Sequence, residues 1–116
     1  TKTGAIIMDT PGYDIASVTS MVAGGCNVVV FTTGRGTPTG HALAPVIKVT
    51  GNRETFRHME DNMDFDASGV TMLEKSVEDV AAELLTEVLA VCDGRPTKAE
   101  SFGFSDIAVD HVCRFV

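Results

Sequence analysis

Three short apolar runs, at residues 5–8 (AIIM), 28–31 (VVVF) and 46–49 (VIKV), each break off into a turn rich in Gly, Thr, Pro or Asn. Runs this short and this apolar predict strands buried on both faces, the pattern of a parallel sheet. Between the first two, Ile15, Val18, Met21 and Val22 fall at helical spacing, opened by Asp14 as a cap and closed by Gly24-Gly25. Strand, helix, strand over this distance predicts a βαβ unit with a right-handed crossover. The alternation continues. Asn52 predicts the cap of a second helix with Phe56, Met59 and Met63 turned inward. Ser76, followed by Asp79, predicts the start of the longest helix, where Val77, Val80, Leu84, Val88 and Val91 step by three or four until Asp93-Gly94 stops them. A short last strand is predicted at residues 107–109. The expected fold is a single compact α/β domain over residues 1–116, a small mainly parallel sheet with flanking helices in Rossmann-like βαβ units.

The turn after the second run is the chemically informative one. In "TTGRGTPTG" (residues 32–40), Gly34 and Gly36 let the backbone approach a ligand and expose amide hydrogens. Thr32, Thr33 and Thr37 add hydroxyls, and Arg35 adds a planar fork suited to a carboxylate, sulfonate or phosphate. Open parallel sheets bind ligands beyond the carboxyl ends of their strands, which is where this turn is expected. The helix near Ile15 is expected to aim its positive end at the same region. The segment lacks the Gly-Lys-Ser/Thr ending of a P-loop, and no helix pattern follows it as in a dinucleotide fold.

Other candidates are weaker. Asp64, Asp66, Ser68 and Gly69 fit the opening of an EF-hand loop, but Lys75 stands where the bidentate Glu belongs, so calcium binding is rejected and a solvated helix-exit turn is expected. His41 follows the glycine-rich turn and is expected within reach of a ligand there; His58 is expected on an exposed helix side, and His111 lies in the tail. Cys26, Cys92 and Cys113 are odd in number with no CxxC, which argues against a disulfide framework or zinc knuckle. Cys26, just past a helix end, is expected in the core. A net charge of −7 disfavours nucleic acid and anionic membranes as partners, and no apolar run reaches membrane length. With no leader-like segment before residue 5 and no initiator methionine, the chain reads as part of a longer cytoplasmic protein.

The stretches "MDTPGYDIASVT", "VVVFTTGRGTPTG", "PVIKVTGN" and "MDFDASG" together resemble the C-terminal part of the altronate and galactarate dehydratase family, which also contains sulfolactate sulfo-lyases. The strongest elements are "FTTGRGTP", then Pro45, Val46, Lys48 and Asn52, then Asp64, Asp66, Ala67 and Gly69. Order and spacing agree along most of residues 4–105, whereas the end from Phe104 does not align and Ser68 and His41 match no family role. The resemblance implies a hydro-lyase that dehydrates a sugar acid such as galactarate or altronate to a 2-oxo acid. The alternatives are a sulfolactate sulfo-lyase subunit and a non-catalytic anion-binding or assembly module. It implies Thr32, Thr33, Gly34, Arg35, Gly36 and Thr37 as a substrate-anion loop, with His41, Asn52 and Asp66 as further substrate-binding candidates. It also implies a divalent metal, iron(II), bound mostly outside this domain. The expected partners are a small carboxylate or sulfonate substrate and preceding domains or a partner subunit of the same enzyme, and a homo-oligomer is compatible with it.

Overall fold

The computed structural model describes residues 4–108. The elements run α1 (Asp14–Ala23), β1 (Val29–Thr32), β2 (Val46–Thr50), α2 (Arg53–His58), β3 (Phe65–Asp66), α3 (Ser68–Thr71), α4 (Val77–Cys92) and α5 (Lys98–Phe102). The three strands form one parallel sheet in the order β1-β2-β3. The fold is α/β, as the apolar runs predict.

β2 is the centre of the molecule, and all five of its residues are buried. Its alternating side chains feed two cores. Val46 joins Val29 and Val18, with Met21, Val22 and Phe31 around them, so α1 covers this face of β1 and β2. Ile47 and Val49 join Val91, with Leu84, Val88 and Phe65 around them, so α4 covers the other face. Each fully buried aliphatic side chain contributes about 1.5–3 kcal/mol relative to exposure. Two helices on opposite faces are what a parallel sheet requires.

Helix ends follow the capping chemistry in the sequence. Asn52 Oδ1 accepts from the amides of Glu54 (3.0 Å) and Thr55 (3.3 Å), and Ser76 Oγ accepts from Asp79 N (3.1 Å). Thr97 and Glu100 form a full capping box on α5. At α1 the expected cap is displaced by one residue. Tyr13 occupies the N-cap and Asp14 is the first helical residue, where its carboxylate still complements the helix dipole.

Several expectations are corrected. Residues 5–8 form no strand: Ile6 is 83% and Ile7 99% exposed, and Met8 lies against Gly24 at the far end of α1. The βαβ unit expected around α1 is therefore not formed: residues 5–8 pair with no strand, and the outer edge of β1 is left unpaired among the described residues. The crossover unit observed is β2-α2-β3, and β1 reaches β2 through a helix-free loop. Ile107 and Ala108 are not in a strand, and Val109, His111 and Cys113 lie outside the described residues. Cys26 is exposed rather than core, since the turn after Gly24-Gly25 carries it past the end of the α1 packing stripe. Val77 is 62% exposed because α4 begins beyond the sheet edge it was expected to cover.

Gly40 fixes how the β1–β2 loop returns across the molecule. A Cβ there would stand 2.5 Å from the Phe104 carbonyl oxygen and 2.7 Å from Ala99 Cβ. Neither neighbour is the tip of a flexible side chain. Gly40→Ala is expected to cost about 1–3 kcal/mol by overpacking, read as a lowered midpoint in chemical denaturation.

Candidate functional site

The carboxyl ends of the strands bring three chain exits together. Thr32 pairs with Val49 and Val49 with Phe65, while Thr50 pairs with Asp66. Past these rows the chain leaves the sheet at Thr33-Gly34, Gly51-Asn52 and Ala67. A cleft of about 450 Å³ lies there, walled by Thr32, Thr33, Gly34, Gly51, Asn52 and Ala67, within the common range of small-ligand clefts, about 300–1,000 Å³. Parallel strands converge their backbone exits at this edge, so a ligand meets amides and short polar side chains.

The glycine-rich turn is held in place at four points. Gly36 N donates to Thr33 Oγ1 (3.0 Å), and Thr55 Oγ1 of α2 donates to the Gly34 carbonyl (2.8 Å). Gly36 sits at φ +81°, and a Cβ on it would come within 2.2 Å of Met59 Sδ, so α2 packs directly on the bare backbone. Further on, the hydroxyls of Thr37 and Thr39 share a buried hydrogen bond of 2.7 Å.

Arg35 projects from this pinned turn and is exposed, and among the described residues no ion pair or hydrogen bond holds its side chain. A second guanidinium nearby is already committed. Arg53 donates through Nε to Ser68 Oγ (3.1 Å) and forms a two-pronged pair with Glu74. That pair holds the Glu74 carboxyl below its ordinary value and raises Arg53. Arg35 is not among the walls of the cleft, but it follows Gly34 directly and is a cation that no described residue holds.

The other sequence candidates separate. Asn52 lines the cleft, but its Oδ1 is used by the α2 cap, leaving the amide NH2 as its ligand-facing donor. Asp66 ends β3 beside the cleft, its Oδ1 accepting from Ser68 N (2.8 Å). Thr37 is buried away from the cleft. His41 lies at the opposite end of the sheet, buried beside Pro45 and Phe104, with Nδ1 accepting from Leu43 N (3.2 Å). No residue of α1 walls the cleft, so the expected contribution of its positive end is absent from this geometry.

A buried ion pair is the feature that sequence reasoning missed. Lys48 is fully buried on β2, its Nζ 3.4 Å from Asp64 Oδ2 and 3.5 Å from the carbonyls of Thr39 and Val46. Asp64 also accepts from Lys48 N (2.8 Å) and Lys98 N (2.7 Å). It is not the solvated turn residue expected. The pair ties the returning half of the glycine-rich loop to β2, the entry to β3 and α5. The signal was available: a lysine inside the buried strand VIKVT demands a partner. Burial pulls the Lys48 ammonium below its ordinary value, more than the adjacent Asp64 carboxylate raises it.

Among the described residues no three His, Cys, Asp or Glu side chains converge as a metal site would require. These residues therefore do not fit a resident iron(II) or other divalent cation. No described helix is long and apolar enough to cross a membrane.

Comparison with known proteins matches residues 1–114 to the family described as D-galactarate/Altronate dehydratase, C-terminal. Galactarate dehydratase (L-threo-forming) of Escherichia coli strain K12 is 40% identical over 95 residues, 82% of this chain and 18% of that protein. Altronate dehydratase of Bacillus subtilis strain 168 is 31% identical over 106 residues, 91% of this chain and 21% of that protein. The (2R)-sulfolactate sulfo-lyase subunit beta of Chromohalobacter salexigens is 33% identical over 109 residues, 94% of this chain and 28% of that protein. The chain thus spans between just under a fifth and just over a quarter of the length of these relatives.

Proposed function

Because this chain belongs to the family of C-terminal domains of D-galactarate and altronate dehydratases, we propose that it is the C-terminal part of a longer hydroxy-acid lyase and supplies the seat for the substrate's anionic group. The reaction is the dehydration of a sugar acid such as galactarate or altronate to a 2-oxo acid. One observation carries the assignment of the seat. The uncommitted Arg35 sits on a turn pinned at the carboxyl edge, beside a cleft walled by Thr32, Thr33, Gly34 and Asn52.

The chemistry explains why such a seat is useful. Removing a proton beside a carboxylate builds enolate charge, and fixed donors at the carboxylate stabilise that charge without reorganising. Arg35 binds and orients the carboxylate, and the Gly34 amide and the Thr33 hydroxyl complete the donor set, the Thr33 amide being held by the Val49 carbonyl. Asn52 NH2 and Asp66 receive the substrate hydroxyls that face the sheet edge. His41 stays outside the seat. The general base, and the ligands of any divalent cation, are assigned to the remainder of the longer cytoplasmic protein. Alone, the 116-residue chain is expected to show no turnover.

The sulfo-lyase relative favours a second reading, in which the same seat takes a sulfonated hydroxy acid. One assay separates the two. The complete protein with iron(II) is incubated with galactarate, altronate and sulfolactate, and 2-oxo acid and sulfite are measured separately. Oxo acid from a sugar acid without sulfite is the expected result. Sulfite from sulfolactate would move the assignment to the second reading, and no product from any of them would overturn both.

A further inference from the structure

The sheet is covered unevenly. α1 packs over β1 and β2 on one face, while α4 on the other reaches β2, β3 and Val28, the residue just before β1. Val28 and Val30 point to the α4 side, since Val30 is paired with Ile47 of that core. Yet Val30 is 44% exposed. Among the described residues no helix lies over the second face of β1.

The flank of α4 nearest this gap is apolar as well. Glu83 of α4 is paired with Lys75, whose side chain lies against Gly69 of α3, so that flank faces the β3 side. The opposite flank carries Leu85, Leu89 and Cys92, which are 59%, 56% and largely exposed. At one end of this gap Cys92 and Val28 wall a hollow of about 470 Å³ together with Asn27, Pro45, Val91, Arg95 and Glu100; Val30, Leu85 and Leu89 lie outside it. Apolar residues thus extend over roughly 180° of the α4 circumference, broken in the first turn by Glu78, a wider stripe than the roughly 100° that a helix with one buried face needs.

We propose that this groove between the bare face of β1 and the Leu85–Leu89–Cys92 flank of α4 seats an amphipathic helix from the part of the same polypeptide outside these 116 residues. Three observations select that occupant. A parallel sheet is completed by helices on both faces. The stretch matched here is 18%, 21% and 28% of the length of the three relatives. The described ends of this chain lie elsewhere: Ala108 N donates to Thr19 Oγ1 on α1, and Met8 rests on Gly24 at the end of α1. The inference rests on the chain being part of a longer protein, and it is independent of which acid the enzyme turns over.

Cys92 reports on the groove directly. The complete protein is alkylated with N-ethylmaleimide, and the rate at Cys92 is read by peptide mapping, native against denatured. Seated by its own polypeptide, Cys92 reacts at least about tenfold more slowly in the native protein, at a rate independent of protein concentration. Leu89→Ser and, separately, Val30→Ser then restore much of that rate, which guards against either single variant misfolding. Native reactivity equal to the denatured rate would overturn the proposal. Protection that disappears on dilution as an oligomer dissociates would also overturn it, placing a second copy in the groove.

Discussion

Asp64→Ala is expected to destabilise the domain by about 3–5 kcal/mol, because it leaves the Lys48 ammonium buried without its counter-charge. It also removes the acceptor for two backbone amides, Lys48 N and Lys98 N. Domains of this size hold about 5–15 kcal/mol in total, so the loss takes a large share. The sign of the pH dependence is fixed by Lys48. Its folded value is pulled below 10.5 by burial, so between the two values the unfolded chain binds more protons and stability rises with pH. Without Asp64 the buried charge is opposed more strongly still. The deficit of Asp64→Ala relative to the parent is therefore expected to shrink as pH rises from 7 to 10. Chemical unfolding at several pH values measures it. A deficit below about 1 kcal/mol at pH 7 would mean that the pair adds nothing beyond an ordinary hydrogen bond.

Arg35→Ala in the complete enzyme is expected to lower kcat/KM for its best sugar acid by about 10–150-fold, the equivalent of one lost charge-assisted hydrogen bond of about 1.5–3 kcal/mol. The side chain is exposed and holds nothing among the described residues, so the melting temperature should stay unchanged. Arg35→Lys keeps the charge but loses the planar fork, and should recover only part of the loss. A KM increase with kcat preserved identifies uniform binding, whereas an equal loss in kcat places the contact at the developing charge. A change below about threefold, with stability intact, would remove Arg35 from the site.

Much of this was legible in the chain. The runs at 28–31 and 46–49, Asn52 and Ser76 as caps, and the stop at Asp93-Gly94 all follow from local rules, and local rules suffice where an element and its neighbours lie within one segment. The run at 5–8 reads as a strand by composition, but a strand exists only against a partner, and sequence pattern does not supply the partner. Lys48 and Asp64 are sixteen residues apart and belong to different elements, so their pairing is a property of register. The glycine-rich turn is legible as a bend of bare backbone, but its pinning by Thr55 of α2 and by Met59, which caps that helix, is tertiary. His41 shows the limit of adjacency, because a few residues after the turn the loop has already crossed to the other end of the sheet.

The most direct test is a crystal structure of the complete enzyme with a six-carbon sugar acid bound. The account predicts one carboxylate of the acid within hydrogen-bond distance of the Arg35 guanidinium and of the Thr33-Gly34 turn. An acid bound with both carboxylates held by other parts of the protein, and Arg35 still in solvent, would contradict it.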